Sequence, residues 1–113
     1  MTFECFDVVV VPFPFTDRST EKRRPALVLS AGARFNVAAG HAVMAMITSA
    51  RHSSWPLDVE IKHLQNTGLS AASLVRMKLF TLDLRLVIRK AGALHAEDAS
   101  RVREAVGKLF GQG

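Results

Sequence analysis

The sequence predicts a mainly β chain closed by one helix, folded as a small barrel or sandwich. Three observations lead there. Short runs of β-branched and aromatic residues alternate with polar loops, residues 57–61 alternate apolar and charged side chains with period two, and three- and four-residue spacing appears only in the last sixth.

Each element follows from its local composition. Residues 7–13, Asp-Val-Val-Val-Val-Pro-Phe, are too short for a helix and end in proline, so they predict a buried strand. Residues 16–24 are polar, charged and aperiodic, which predicts a loop able to carry function. Residues 25–30 resume the strand pattern with Pro25 at its start, where a missing donor costs least. Residues 42–48 predict another strand, 57–61 a strand with one wet face, and 73–76 and 86–89 two short ones. Over 96–110, Ala99, Val102, Val106 and Leu109 mark one face of a helix. Glu97 and Asp98 favour its first turn, Lys108 favours its last, and Gly111 stops it.

Composition narrows the function. A length of 113 residues with 49% hydrophobic content suits a single domain, 1–113. The longest apolar run, 8–15, holds two prolines and falls far short of the roughly 20 residues of a bilayer span. The first seven residues carry two acids and no basic segment, which predicts no secretory signal and a cytoplasmic protein. Cys5 is the only cysteine, so it forms no internal disulfide and reads as buried strand-edge filler. A charge of +5, from 15 Lys and Arg against 10 Asp and Glu, favours a polyanionic partner, with solubility as the plainer reading.

His41, His52, His63 and His95 are widely spaced in sequence, and none makes an i, i+4 pair on a helix. The expectation is surface histidines and no metal. No glycine-rich phosphate loop is present, and no cofactor is expected. Two short segments stand out: Lys22-Arg23-Arg24 at a loop-to-strand junction, and Ile47-Thr48-Ser49 at the end of a later strand. An arginine fixed at a strand start can grip a phosphate by two parallel hydrogen bonds, and a nearby hydroxyl can donate to the same group. Neither segment is specific alone: Arg-Arg-Pro beside a strand is more often a solvated edge, and a strand-end Thr-Ser is more often a turn.

Taken in order, residues 7–17, 22–30 and 47–49 resemble the signature of the MazF/PemK toxin family. Residues 56–61, 68–69, 73–76 and 78–83 resemble further family segments, so the likeness spans nearly the whole chain. It implies a small SH3-like barrel of the MazF/PemK/CcdB type with a C-terminal helix. It also implies a homodimer and a sequence-selective endoribonuclease cutting single-stranded mRNA, neutralised by a cognate antitoxin whose tail lies in the RNA groove. The matching catalytic positions are Arg24 and Thr48. Three positions depart from the family pattern: Phe6 stands where a glycine usually precedes Asp7, His95 replaces a helix-starting serine, and Met77 replaces a commonly acidic residue. The first two bear on turn and cap stability, the third on RNA preference.

Without a metal, RNA can be cut by its own 2′-hydroxyl if the protein positions the phosphate and stabilises the charge that develops. Arg24 is then expected on the scissile phosphate with Thr48 donating beside it, and the general base stays unassigned. Arg18, Lys22, Arg23, Ser49, Arg51, Arg76 and Lys78 are candidates to guide the backbone, and Phe15 to stack a base. Two alternatives remain at this point: a gyrase-poisoning toxin of the same fold, or an inactive RNA- or antitoxin-binding module.

Overall fold

The computed structural model describes residues 2–13, 22–51 and 54–112. Six antiparallel strands form one sheet: β1 (Asp7–Pro12), β2 (Arg23–Val28), β3 (His41–Ser49), β4 (Val59–Glu60), β5 (Ser73–Asp83) and β6 (Arg89–Ala93). Their order across the sheet is β4-β5-β3-β2-β1-β6, curled into a half-barrel. A π-helical turn, Gly32–Asn36, runs into the one-turn helix α1 (Val37–Ala39) before β3, and the chain closes with α2 (Ala96–Leu109). Gly40 ends α1 at φ 66°, a left-handed conformation that glycine adopts without a Cβ penalty.

Side chains alternate across the strands and build two cores. On one face Val8, Leu27, Ala45, Ile47, Val75 and Met77 pack under Ala99, Val102 and Ala105 of α2. On the other, Val9, Val11, Ala26, Val28 and Met44 meet Phe3, Leu82 and Val87. A helix-covered face and a loop-covered face are thus established by a single alternation. Leu109, expected on the buried side of α2, is instead exposed, and Ala105 takes the inward position.

Several boundaries differ from expectation, each for a local reason. β2 begins at Arg23, because Pro12 pairs with Arg23 and Val11 with Arg24, so both arginines stand in a ladder. Pro25 lies just outside the β2–β3 pairing, which begins at Ala26. β4 is short because Leu57 adopts φ 66° in the turn before it. β5 runs on to Asp83, whose carboxylate accepts the Arg85 backbone N–H at 2.9 Å and turns the chain into a 3-10 turn, Leu84–Leu86. That turn displaces the strand expected at 86–89, and β6 starts only at Arg89. The Arg85 side chain also forks the same carboxylate and lowers its pKa to about 2.

The departures at residues 6 and 95 acquire a structural account. Phe6 holds φ 72° just before β1, the region that favours glycine. Its backbone is tied on both sides, N–H to Val28 O at 2.6 Å and C=O to Leu94 N–H at 2.9 Å. Its ring packs on the helix-side core under the Arg103 guanidinium, 4.9 Å from the ring centroid, which offsets the strain. His95 does the work of a capping serine, its Nδ1 accepting the Glu97 N–H at 3.1 Å. Cys5 is half-buried in the turn before β1, its thiol donating to Leu29 O at 3.2 Å. Burial pushes its pKa up, against a lowering by Arg103. Among the described residues no helix is long and apolar enough to cross a membrane.

Candidate functional site

The fold brings the two expected catalytic residues to one hollow. Ala26 of β2 pairs with Met46 of β3, and the pairing of these two strands ends there, two residues short of Arg24 on one strand and of Thr48 on the other. Thr48 in turn pairs with Leu74 of β5. Side chains alternate along a strand; Arg24 is in step with Ala26 and Val28 and Thr48 with Ala42 and Met44, so both stand on the sheet face away from α2. Arg24, Thr48 and Ser49 line one open hollow of about 350 Å³ whose far wall is residues 69–73.

Arg24 is exposed, and its guanidinium lies 5.8 Å from the centroid of the Phe13 ring. A cation over an aromatic face at such a site contributes about 0.5–1 kcal/mol, enough to favour one direction for the long side chain. The Phe13 N–H donates to Lys22 O at 3.0 Å and extends the β1–β2 ladder to the start of this corner. Phe13 did not stand out in the sequence. Its signal was its place, two residues beyond Val11, which is the ladder partner of Arg24.

The other candidates divide into groups. Lys22 and Arg23 are exposed at the same end of β2 as Arg24. Ser49 follows Thr48 on the strand at the rim of the same hollow, and its hydroxyl accepts the Arg51 N–H at 3.2 Å. Arg51 is exposed. Arg76 is buried, its Nε and Nη2 on the Asp58 carboxylate at 3.2 and 3.0 Å, and this hydrogen-bonded pair raises its pKa. Its guanidinium therefore braces the surface from beneath. The Lys78 ammonium sits 4.4 Å from the centroid of the Trp55 ring. Met77 is buried in the helix-side core, away from the Arg24 face. Phe15 and Arg18 lie outside the described residues.

One cluster was hidden by sequence spacing. His63 and His95 stack at 4.0 Å between centroids, and His63 Nε2 lies 3.7 Å from Glu97 Oε1. One donor atom from each of these three residues falls within 4.8 Å of the others. Histidines read as isolated are thus neighbours, because buried Asp98 accepts the N–H groups of Lys62 and His63 and draws that segment to the start of α2. Two imidazoles and a carboxylate are donors suited to a zinc-like ion. Stacked rings, however, aim their in-plane lone pairs side by side, and His95 Nδ1 is committed to the helix cap. The geometry fits a packed helix start better than a cation cradle.

Residues 4–110 match the PemK-like, MazF-like toxin family of type II toxin-antitoxin systems. The chain belongs to this family. Among solved structures it is similar to the toxin in a MazE-MazF complex from Deinococcus radiodurans, at 27% identity over 100% of this chain and 99% of that one, with a TM-score of 0.76. MazF from the same organism is 26% identical over 98% of both chains, with a TM-score of 0.75. An endoribonuclease in complex with its cognate antitoxin, from a mycobacterial species, shares the fold at a TM-score of 0.78 and 17% identity, covering 98% of this chain and 97% of that one. No curated protein matches significantly. In this MazF-like toxin the half-barrel and C-terminal helix are therefore the family architecture, and its Arg24–Thr48 corner opens on the sheet face that the helix leaves uncovered.

Proposed function

We propose that this toxin is a metal-independent endoribonuclease that cuts single-stranded mRNA at the Arg24–Thr48 corner. The observation that carries the reading is the hollow that Arg24 and Thr48 line together. The substrate's own 2′-hydroxyl attacks the adjacent phosphorus and forms the new P–O bond. The P–O5′ bond breaks, leaving a 2′,3′-cyclic phosphate and a 5′-hydroxyl. The 2′-hydroxyl proton passes to a base and the departing 5′-oxygen gains one.

Arg24 holds the non-bridging phosphoryl oxygens with its planar fork and stabilises the charge they gain. Thr48 donates a hydrogen bond beside it. A guanidinium is a poor proton acceptor because it holds its proton throughout the working pH range, so the base lies elsewhere. Lys22, Arg23 and Arg51 surround the corner with positive charge that draws in the RNA backbone. The whole of 1–113 acts as one toxin domain in the cytoplasm, as a homodimer, and a cognate antitoxin blocks the same surface. The similar toxin from Deinococcus radiodurans, solved with MazE, supports that pairing.

Purified protein incubated with a long RNA in excess EDTA tests the reading. Discrete fragments ending in 2′,3′-cyclic phosphate are expected. Intact RNA contradicts it and favours a toxin acting by protein contact, whereas cleavage only on adding magnesium points to a metal-activated water.

A further inference from the structure

A second feature of the same sheet face lies beyond the Arg24–Thr48 corner. Trp55 is the only tryptophan in the chain, and it remains 42% exposed, unusual for so large a ring. It is nonetheless firmly held. Its backbone N–H donates to Asp58 Oδ2 at 2.9 Å, and the Asp58 N–H donates back to Trp55 O at 3.1 Å. The Asp58 carboxylate is itself gripped by buried Arg76. The Arg76–Asp58 pair thus ties down the backbone that carries the exposed ring.

The strand beside it is irregular where the ring lies. Ala45 pairs with Leu79 but Met46 pairs with Arg76, so β5 carries two extra residues, Met77 and Lys78, at this bulge. Bulges re-aim side chains, and here the Lys78 ammonium comes to lie over the Trp55 ring at 4.4 Å. Arg76 shares its face with Leu74, the ladder partner of Thr48, so platform and corner are neighbours along β5. At about 3.3 Å per residue, Leu74 and Lys78 are separated by roughly 13 Å of strand, a distance that an extended RNA strand readily bridges.

We infer that Trp55 and Lys78 form a nucleotide subsite, in which one RNA base stacks on Trp55 and Lys78 takes the adjoining phosphate. The inference rests on the RNA-cleaving reading above. An aromatic ring paired with a mobile cation fits single-stranded nucleic acid, since every base has a π face and every nucleotide an anion. Base stacking on an aromatic outweighs an exposed cation–π contact, so the entering base displaces the ammonium toward the phosphate. The stack tolerates any base, so Trp55 contributes grip and register, while sequence choice comes from other contacts.

The lone tryptophan makes the test direct. Single-stranded 2′-fluoro RNA of mixed sequence lacks the attacking hydroxyl and so cannot be cut by the proposed route. It is titrated into the full-length protein while anisotropy of the labelled RNA reports binding and Trp55 fluorescence reports stacking. The expected result is quenching that saturates along the anisotropy curve, with binding about tenfold weaker in Trp55→Ala and largely retained in Trp55→Phe. Trp55→Phe also serves as the variant if Trp55→Ala does not fold, since a ring without the indole should still bind. RNA binding with unchanged fluorescence, or with unchanged affinity in folded Trp55→Ala, removes the subsite and leaves the nuclease reading standing. That outcome would fit a Trp55 that receives a protein segment instead. Failure of the wild-type protein to bind RNA at all overturns both.

Discussion

Arg24→Ala is expected to slow RNA cleavage by about 10²–10³-fold, the loss typical when one preorganised donor to a developing oxyanion is removed, while leaving the melting temperature nearly unchanged. The side chain is exposed at the start of β2, where its only described ring contact is the 5.8 Å approach to Phe13, so little packing goes with it. Arg24→Lys should recover only a small part of the rate, because a single ammonium keeps the charge but not the fork. Thr48→Ala should fall in the same direction by a smaller factor, since it removes one neutral donor. Cleavage rates of folded variants on one RNA, with a circular dichroism melt of each, check all three. Wild-type rates in folded Arg24→Ala would remove Arg24 from the site.

The largest stability effect is expected at Asp98. Its carboxylate is wholly buried, accepts backbone N–H groups from Lys62 at 3.2 Å and His63 at 2.9 Å, and pairs with Arg101. Asp98→Ala leaves two amides without their acceptor and the arginine without its counter-charge. Such losses amount to about 2–4 kcal/mol, or a fall in melting temperature on the order of 10–20 °C for a domain of this size. Asp98→Asn keeps one acceptor oxygen and should cost less. A thermal melt resolves the order. Because α2 covers the sheet face opposite Arg24, the folded fraction of Asp98→Asn should cut RNA at the wild-type rate.

Much of this fold was legible because it rests on patterns confined to single segments. The valine run of β1, the strand-like run at 42–48 and the spacing of Ala99 and Val102 in α2 are each local to one segment, and β1, β3 and α2 formed there, whereas the alternation at 57–61 yielded only the two residues of β4. Boundaries governed by partners were less legible. Arg23 and Arg24 read as loop because their charges mask a ladder that exists only once Pro12 and Val11 lie beside them. The strand expected at 86–89 gave way to a turn because one carboxylate, Asp83, captured Arg85.

The site divides in the same manner. The segments holding Arg24 and Thr48 stood out by residue type and position, the family resemblance picked out those two residues, and both line one hollow. Arg76 looked like a surface cation, and nothing in its own segment shows that Asp58, eighteen residues earlier, takes two of its three guanidinium nitrogens. Phe13, Trp55 and the His63–His95 stack were missed for the corresponding reason. Each acquires its role from a residue distant in sequence, and the stack depends on Asp98 holding a segment thirty-five residues away. The glycine-to-phenylalanine departure at residue 6 was visible, but its compensation by Arg103 was not.

The most direct test of the nuclease account is a substrate with one atom removed. A short RNA containing the cleaved bond, mapped first on long RNA, is prepared with a single deoxyribose immediately 5′ to the scissile phosphate, so that charge, bases and the remaining sugars are unchanged. If the 2′-hydroxyl is the nucleophile and Arg24 and Thr48 act only on the phosphate, this RNA should bind the toxin with nearly the affinity of the parent and remain uncut in excess EDTA. Cleavage of the deoxy-substituted bond at the parent rate would contradict the account and assign the attack to water.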